Sequence, residues 1–287
     1  MLDFDYSEAF SRNLGWVTED EQRRLQSSRV AIAGMGGVGG SHLLTLARLG
    51  VGQFHIADMD QYELANFNRQ AGATVASLGR NKLEVMAELA RGVNPGLHLT
   101  EFPHGVQQSN IDKFLEGVDL YVDALDFFVL DVRRAVFAAC EAKGIPAITA
   151  APLGMGVAFL AFAPGGMSFE DYFQLEGQSP EEQAIRFLLG LSPRMLQMKY
   201  LADPERVNFA EQRGPSTAMA CELCAGMAAT QGLKLLLGRG RVPLAPRGLH
   251  FDAYRNRLVN TWRPGGNNNL LQRLLLAIAR RKLGISA

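Results

Sequence analysis

The chain has 287 residues, 47% of them hydrophobic, which suits one large α/β unit or two small ones and excludes disorder. Its 29 Lys and Arg equal its 29 Asp and Glu, so net charge gives no support to a nonspecific nucleic-acid or acidic-membrane role. The three cysteines, Cys140, Cys221 and Cys224, make no disulfide framework, and the N-terminus lacks a signal-type apolar core, so a reducing cytoplasm is expected.

In chain order, residues 18–27 predict a short helix and 30–33 a buried strand. Gly34, Gly36, Gly37 and Gly39 follow as G-M-G-G-V-G, opening a helix over about 38–49. Gly34 permits the tight turn, Gly36 lets backbone approach phosphate, Gly39 allows close helix–strand packing, and Gly37 adds another position without a side chain. The free N–H groups of the helix face the phosphates. Residues 53–57 form a second strand ending at Asp58, about 20 residues past the loop, where a ribose-binding carboxylate belongs.

A helix over 78–92, with Leu83, Met86, Ala87 and Ala90 on one face, leads to strands at 97–102 and 118–122. A helix over about 129–143 and a strand at 145–150 follow. The uncharged stretch 144–169 holds Pro146, Pro152 and Pro164, so it reads as two buried strands joined at 153–156 and not as a membrane span. This alternation predicts an α/β fold, a Rossmann-like doubly wound and mostly parallel sheet with right-handed crossovers. Residues 164–216, with prolines at 164, 180, 193, 204 and 215, predict a long crossover or lid with short helices. A helix over 217–237 returns to the core, 249–261 forms an antiparallel hairpin turning at Arg255-Asn256, and a last helix spans 270–282. The expected division is an N-terminal helical arm (1–28), a nucleotide-binding core (29–163), the crossover (164–216), and a C-terminal part (217–287) completing the same domain.

The side chains after the loop select the chemistry. A dinucleotide's pyrophosphate is served mostly by the glycine loop and the helix end, whereas a triphosphate with its metal demands several cations and donors. Asp58-Met59-Asp60, Asn66-Phe67-Asn68-Arg69-Gln70 and Gly79-Arg80-Asn81-Lys82 supply such a set. Arg69 can fork two phosphate oxygens, and Lys82 can act as a point charge. Singly, each could be a solvated surface charge; their joint spacing favours function.

Together these motifs resemble the ThiF/MoeB/HesA family, the bacterial relatives of ubiquitin-activating enzymes, over about residues 10–163 and more weakly over the helix after 217. The glycine loop, Asp58-Met59-Asp60, the Asn66 to Gln70 segment and Lys82 match the family's motifs. Asp123-Ala124-Leu125-Asp126 resembles its D-x-x-D, so the resemblance implies that Asp126 binds magnesium; Phe127 stands where the family has Asn. Arg12 is the nearest match to an N-terminal arginine that the family supplies to the partner subunit's ATP. What the resemblance implies is an ATP- and Mg2+-dependent homodimer that adenylates a carboxylate. The carboxylate is the C-terminus of a ubiquitin-like sulfur carrier, or that of a peptide or small molecule. Arg69, Lys82, Asp126 and Arg12 would be catalytic, and Gly34, Gly36, Gly37, Gly39, Asp58, Asp60, Asn66 and Gln70 would bind the nucleotide. One C-x-x-C pair, Cys221 and Cys224, is too few for a tetrahedral thiolate site, so no zinc is expected. Whether either cysteine forms a thioester or only packs in an apolar helix stays open. No membrane or nucleic-acid partner is expected. The competing readings are an NAD- or FAD-dependent oxidoreductase and an inactive scaffold.

Overall fold

The computed structural model describes residues 4–206 and 214–283. A short helix α1 (Tyr6–Ala9) and a turn of 3-10 helix at Ser11–Asn13 precede α2 (Glu19–Ser27). Thr18 fixes the start of α2 with a capping box: its Oγ1 accepts from Glu21 N at 3.2 Å, and the Glu21 carboxylate accepts from Thr18 N at 2.9 Å. Then come β1 (Arg29–Ala33), α3 (Gly37–Arg48), β2 (Gln53–Ala57), α4 (Lys82–Val93), β3 (His98–Phe102), α5 (Ile111–Phe114), β4 (Leu120–Asp123), α6 (Leu130–Lys143) and β5 (Ala147–Leu153).

Strand β6 (Gly156–Phe162) folds back on β5, joined at Gly154-Met155 as expected. The crossover carries α7 (Phe169–Phe173), α8 (Pro180–Leu191) and 3-10 turns at Leu196–Lys199 and Pro204–Arg206; its stretch 207–213 lies outside the described residues. Helix α9 (Ala218–Leu237), the hairpin β7 (Arg247–Asp252) and β8 (Arg257–Trp262), and α10 (Leu270–Leu283) complete the described chain. One difference from the sequence reading concerns α4, which starts at Lys82 and not near 78. Gly79 adopts φ +78° and residues 75–77 form a 3-10 turn, so the apolar periodicity there is not helical.

The sheet order is β3-β2-β1-β4-β5-β6-β7-β8, with the first five strands parallel and the rest antiparallel. Alternate residues of each central strand feed two cores, as period-2 geometry requires. Val30, Ile32, Leu120, Val122 and Phe159 pack with Leu43, Leu46, Met86 and Ala228 of α3, α4 and α9. Ala31, Tyr121, Leu160 and Phe162 pack with Phe114, Phe137, Phe169 and Phe173 on the other face. Each fully buried large side chain contributes about 1.5–3 kcal/mol, so both helix layers are held firmly to the sheet between them. No described helix is long and apolar enough to cross a membrane.

Candidate functional site

Strands β1 and β4 lie side by side, but the chain leaves β1 for β2 on one side and β4 for β5 on the other. This is the switch point of a doubly wound sheet, where a crevice opens beyond the carboxyl ends of the strands. The glycine loop fills one lip and residues 124–129 the other. Gly34 has φ +96°, and a Cβ there would stand 2.3 Å from the Ala124 carbonyl oxygen, so the two lips touch through a position that only glycine fits. A Cβ on Gly39 would fall 1.8 Å from the Gly34 carbonyl oxygen, which is why α3 can start so close to the turn. Gly36 is open: its Cβ would meet nothing nearer than Gln70 Nε2 at 3.7 Å. A Cβ on Gly37 would lie 3.0 Å from Cys221 Sγ and 3.6 Å from Arg69 Cγ. The outer rim of the loop is therefore bordered by Gln70, Arg69 and the start of α9.

Asp58 braces this loop. Its Oδ2 accepts from Met35 N at 2.6 Å and its Oδ1 from Asp60 N at 2.8 Å. Burial pushes its carboxyl above the usual range, while the two amides and the Lys82 charge pull it back. Each carboxylate oxygen has a second lone-pair direction beyond the amide it accepts. Lys82, the first residue of α4 and 7% exposed, donates from Nζ to Asp60 Oδ2 at 3.0 Å and from its backbone N to the Asp60 carbonyl at 2.9 Å. Asp60 thus holds a buried lysine whose charge acts on Asp58, the carboxylate that braces the loop.

The segment after β2 turns on itself. Asn66 Oδ1 accepts from Glu63 N at 3.0 Å, so its side chain builds the turn. Arg69 Nη1 donates to the Ala65 carbonyl at 2.9 Å and to Asn68 Oδ1 at 2.8 Å. Asn68 Nδ2 in turn donates to the Ser216 carbonyl at 2.9 Å, tying the turn to the residues just before α9. Gln70 is buried and its Oε1 has no partner among the described residues, an acceptor held ready at the loop.

Asp126 is exposed at the tip of the opposite lip, where its Oδ1 accepts from Phe128 N at 3.0 Å. Val129, not Asp126, occupies the N-cap of α6, so the carboxylate caps a turn ahead of the helix. Among the described residues no group of three or more His, Cys, Asp or Glu could hold a metal. A lone carboxylate still suits magnesium, which takes one or two carboxylates and completes its shell with water and phosphate oxygens.

Arg12 is set apart from the others. The arm carrying it is fastened to the far end of α3: Asn13 Nδ2 donates to the Leu49 carbonyl at 3.1 Å and Tyr6 Oη to the Gly50 carbonyl at 2.6 Å. At 1.5 Å per residue, α3 separates that end from the glycine loop by roughly 18 Å. Arg12 is exposed and does not join its own chain's crevice. Sequence reasoning also missed two features. Cys221 touches the loop, with its thiol pushed up by burial and only partly offset by Ser216 and Arg69. The buried pair Arg133–Asp123, at 2.8 Å, underlies the Asp126 lip.

A glycine loop at the switch point of a doubly wound sheet, with Arg69 at its rim and Asp58 bracing it, defines a Rossmann-like α/β protein. The ThiF family model matches residues 10–271, and the chain belongs to the ThiF family. It is 34% identical over 149 residues to the SAMP-activating enzyme E1 of Haloferax volcanii, covering 51% of this chain and 54% of that one. It is 32% identical over 148 residues to the sulfur carrier protein ThiS adenylyltransferase of Escherichia coli, covering 52% and 58%. The chain spans little more than half the length of these curated relatives. The crystal structure of E. coli MccB with ATP shares the fold at TM-score 0.64 and 18% identity, over 88% of this chain and 70% of that one.

Proposed function

We propose that this protein is an ATP-dependent adenylyltransferase that activates a carboxylate as an acyl adenylate and releases pyrophosphate. The observation that supports the reading is a pair of cations beside the loop and its brace: Arg69, whose Cγ borders Gly37, and buried Lys82, which pairs with Asp60 and whose charge acts on Asp58. Hydride transfer has no use for that pair, whereas a triphosphate does. The names of the two curated relatives support a protein carboxylate as substrate, one being a SAMP-activating enzyme and the other a ThiS adenylyltransferase.

On this reading the loop amides and the start of α3 cradle the phosphates, with Gly36 open for their approach. Asp58 holds the ribose, and Gln70 lies beside the phosphate approach at Gly36. The substrate carboxylate oxygen attacks the α-phosphorus, and the bond to the bridging oxygen of the β-phosphate breaks, so pyrophosphate leaves with that electron pair. No general base is needed, because the carboxylate is already ionised near neutral pH. Lys82 and Arg69 face the charge that develops on the leaving pyrophosphate and stabilise it more than they stabilise the ground state. Magnesium, when bound at Asp126, neutralises phosphate charge. Arg12, distant from its own crevice, reaches the site of a second copy in a homodimer. The reading includes no zinc and has the protein working in the cytoplasm.

The test is ATP–pyrophosphate exchange with candidate carboxylate-bearing proteins, alongside melting shifts with MgATP and with NAD(H). Exchange and stabilisation by MgATP support the reading; stabilisation by NAD(H) alone sinks it.

A further inference from the structure

The loop carrying Asp126 is held from beneath by one guanidinium. Arg133, 2% exposed in α6, donates from Nε to Asp123 Oδ2 at 2.8 Å. Its Nη2 donates to the carbonyls of Leu125 at 2.6 Å and Asp126 at 3.1 Å, and its Nη1 to those of Phe127 at 3.3 Å and Val129 at 3.4 Å. All five bonds end within residues 123–129. Four carbonyls turned toward one charge fix the orientation of their peptide planes, and with them the direction in which the Asp126 side chain leaves the backbone. The Asp123 carboxylate prevents the buried charge from standing unpaired, which is the costly case.

The crossover closes the arrangement from the other side. The Phe187 ring of α8, itself 2% exposed, lies 4.6 Å from the Arg133 guanidinium carbon, in cation–π range. The same ring sits 5.3 Å from that of Phe127. Phe127 is the residue that replaces the expected Asn, and its aromatic ring gives α8 something to grip. The Asp126 loop is therefore clamped between α6 and the crossover.

We propose that Arg133, with the Phe127–Phe187 contact, is the positioning device for Asp126, so that docking of the crossover helix α8 sets how tightly this lip holds a divalent cation beside the nucleotide. This rests on the adenylation reading, which gives Asp126 its metal. Arg133 acts through Asp126 and touches no reacting atom.

The test uses Arg133→Lys, Phe187→Leu and Phe127→Asn, with Asp126→Asn as reference. Three quantities are read: ATP binding in EDTA, Mn2+ binding to the ATP complex by electron paramagnetic resonance, and the melting temperature. Loss of an outer-shell partner typically weakens metal binding by 10–100-fold, so Arg133→Lys is expected to weaken Mn2+ binding about tenfold or more, in step with Asp126→Asn. Phe187→Leu and Phe127→Asn weaken it less, in the same direction, while ATP binding in EDTA holds. Phe127 is half-buried, so its variant keeps the test open if Arg133→Lys fails to fold. Variants that melt lower but bind Mn2+ like the wild type reduce the clamp to a structural role and overturn the proposal. If Asp126→Asn also binds Mn2+ normally, the metal assignment in the functional reading fails instead.

Discussion

Two alanines in the glycine loop separate folding from nucleotide binding. At Gly39 the new Cβ would fall 1.8 Å from the Gly34 carbonyl oxygen and 2.7 Å from its carbon, both backbone atoms between a buried strand and a buried helix. Neither can yield without moving α3 off β1, and the cost exceeds the roughly 1–3 kcal/mol of ordinary overpacking. Gly39→Ala should lose about 4 kcal/mol or more, in the range reserved for a specific steric fault. At Gly36 the nearest atom is 3.7 Å away, an ordinary contact. There alanine loses about 0.5–1 kcal/mol as a helix N-cap and regains about 0.4–1 kcal/mol by restricting the unfolded chain. Gly36→Ala should therefore melt near the wild type. Its methyl nevertheless stands where backbone must approach phosphate, so ATP should bind at least about tenfold more weakly, some 1.4 kcal/mol. Urea unfolding and ATP titration by calorimetry measure both. A Gly36→Ala protein that binds ATP normally would show that phosphate does not lie over this position. A Gly39→Ala protein of normal stability would refute the steric argument itself.

His42 makes stability depend on pH. Burial pushes its pKa from 6.5 down to about 3, and neither ring nitrogen has a partner among the described residues. Below 6.5 the unfolded chain takes up a proton that the folded chain refuses, so stability is lost as pH falls from 6.5 toward about 3. His42 alone should cost about 2 kcal/mol between pH 7 and pH 5; His42→Leu should flatten that part of the urea-unfolding profile, and an unchanged slope would refute the account. Arg12→Ala and Lys82→Ala should each be inactive alone. Mixed and allowed to exchange subunits, they should regain roughly a quarter of wild-type sites, because half the dimers carry one intact composite site; no recovery would remove Arg12 from the partner's site.

Much of the site was legible because its causes are local. Gly34 and Gly39 are fixed by atoms within a few residues or on the adjacent strand, and G-x-G-x-x-G spacing reports such sterics directly. Lys82 and Asp60 are 22 positions apart, but both belong to the one connection that leads from β2 into α4. The start of α4 is not legible because apolar residues keep a helical period through a stretch that Gly79 breaks. Arg133 was not legible. Its partners are mostly backbone carbonyls, which leave no side-chain pattern, and Asp123 pairs with it across a turn whose shape the guanidinium itself creates. The approach of Cys221 to Gly37 depends on α9 returning along the sheet after the long crossover, a tertiary fact that the local C-x-x-C spacing does not encode. Phe127 stands where the family has Asn, and its partner Phe187 comes from the distant crossover helix, a contact that local sequence does not encode.

The central claim is that ATP is cleaved between its α- and β-phosphates by an attacking carboxylate. Exchange of labelled pyrophosphate into ATP, driven by a ubiquitin-like protein with a free C-terminus, tests this most directly. The account predicts exchange that requires the carboxylate substrate and falls by at least about 100-fold in Lys82→Ala, in the range seen when one preorganised charge-stabilising group is removed. Exchange undiminished in Lys82→Ala, or release of γ-phosphate alone from a well-folded wild-type protein, would contradict it.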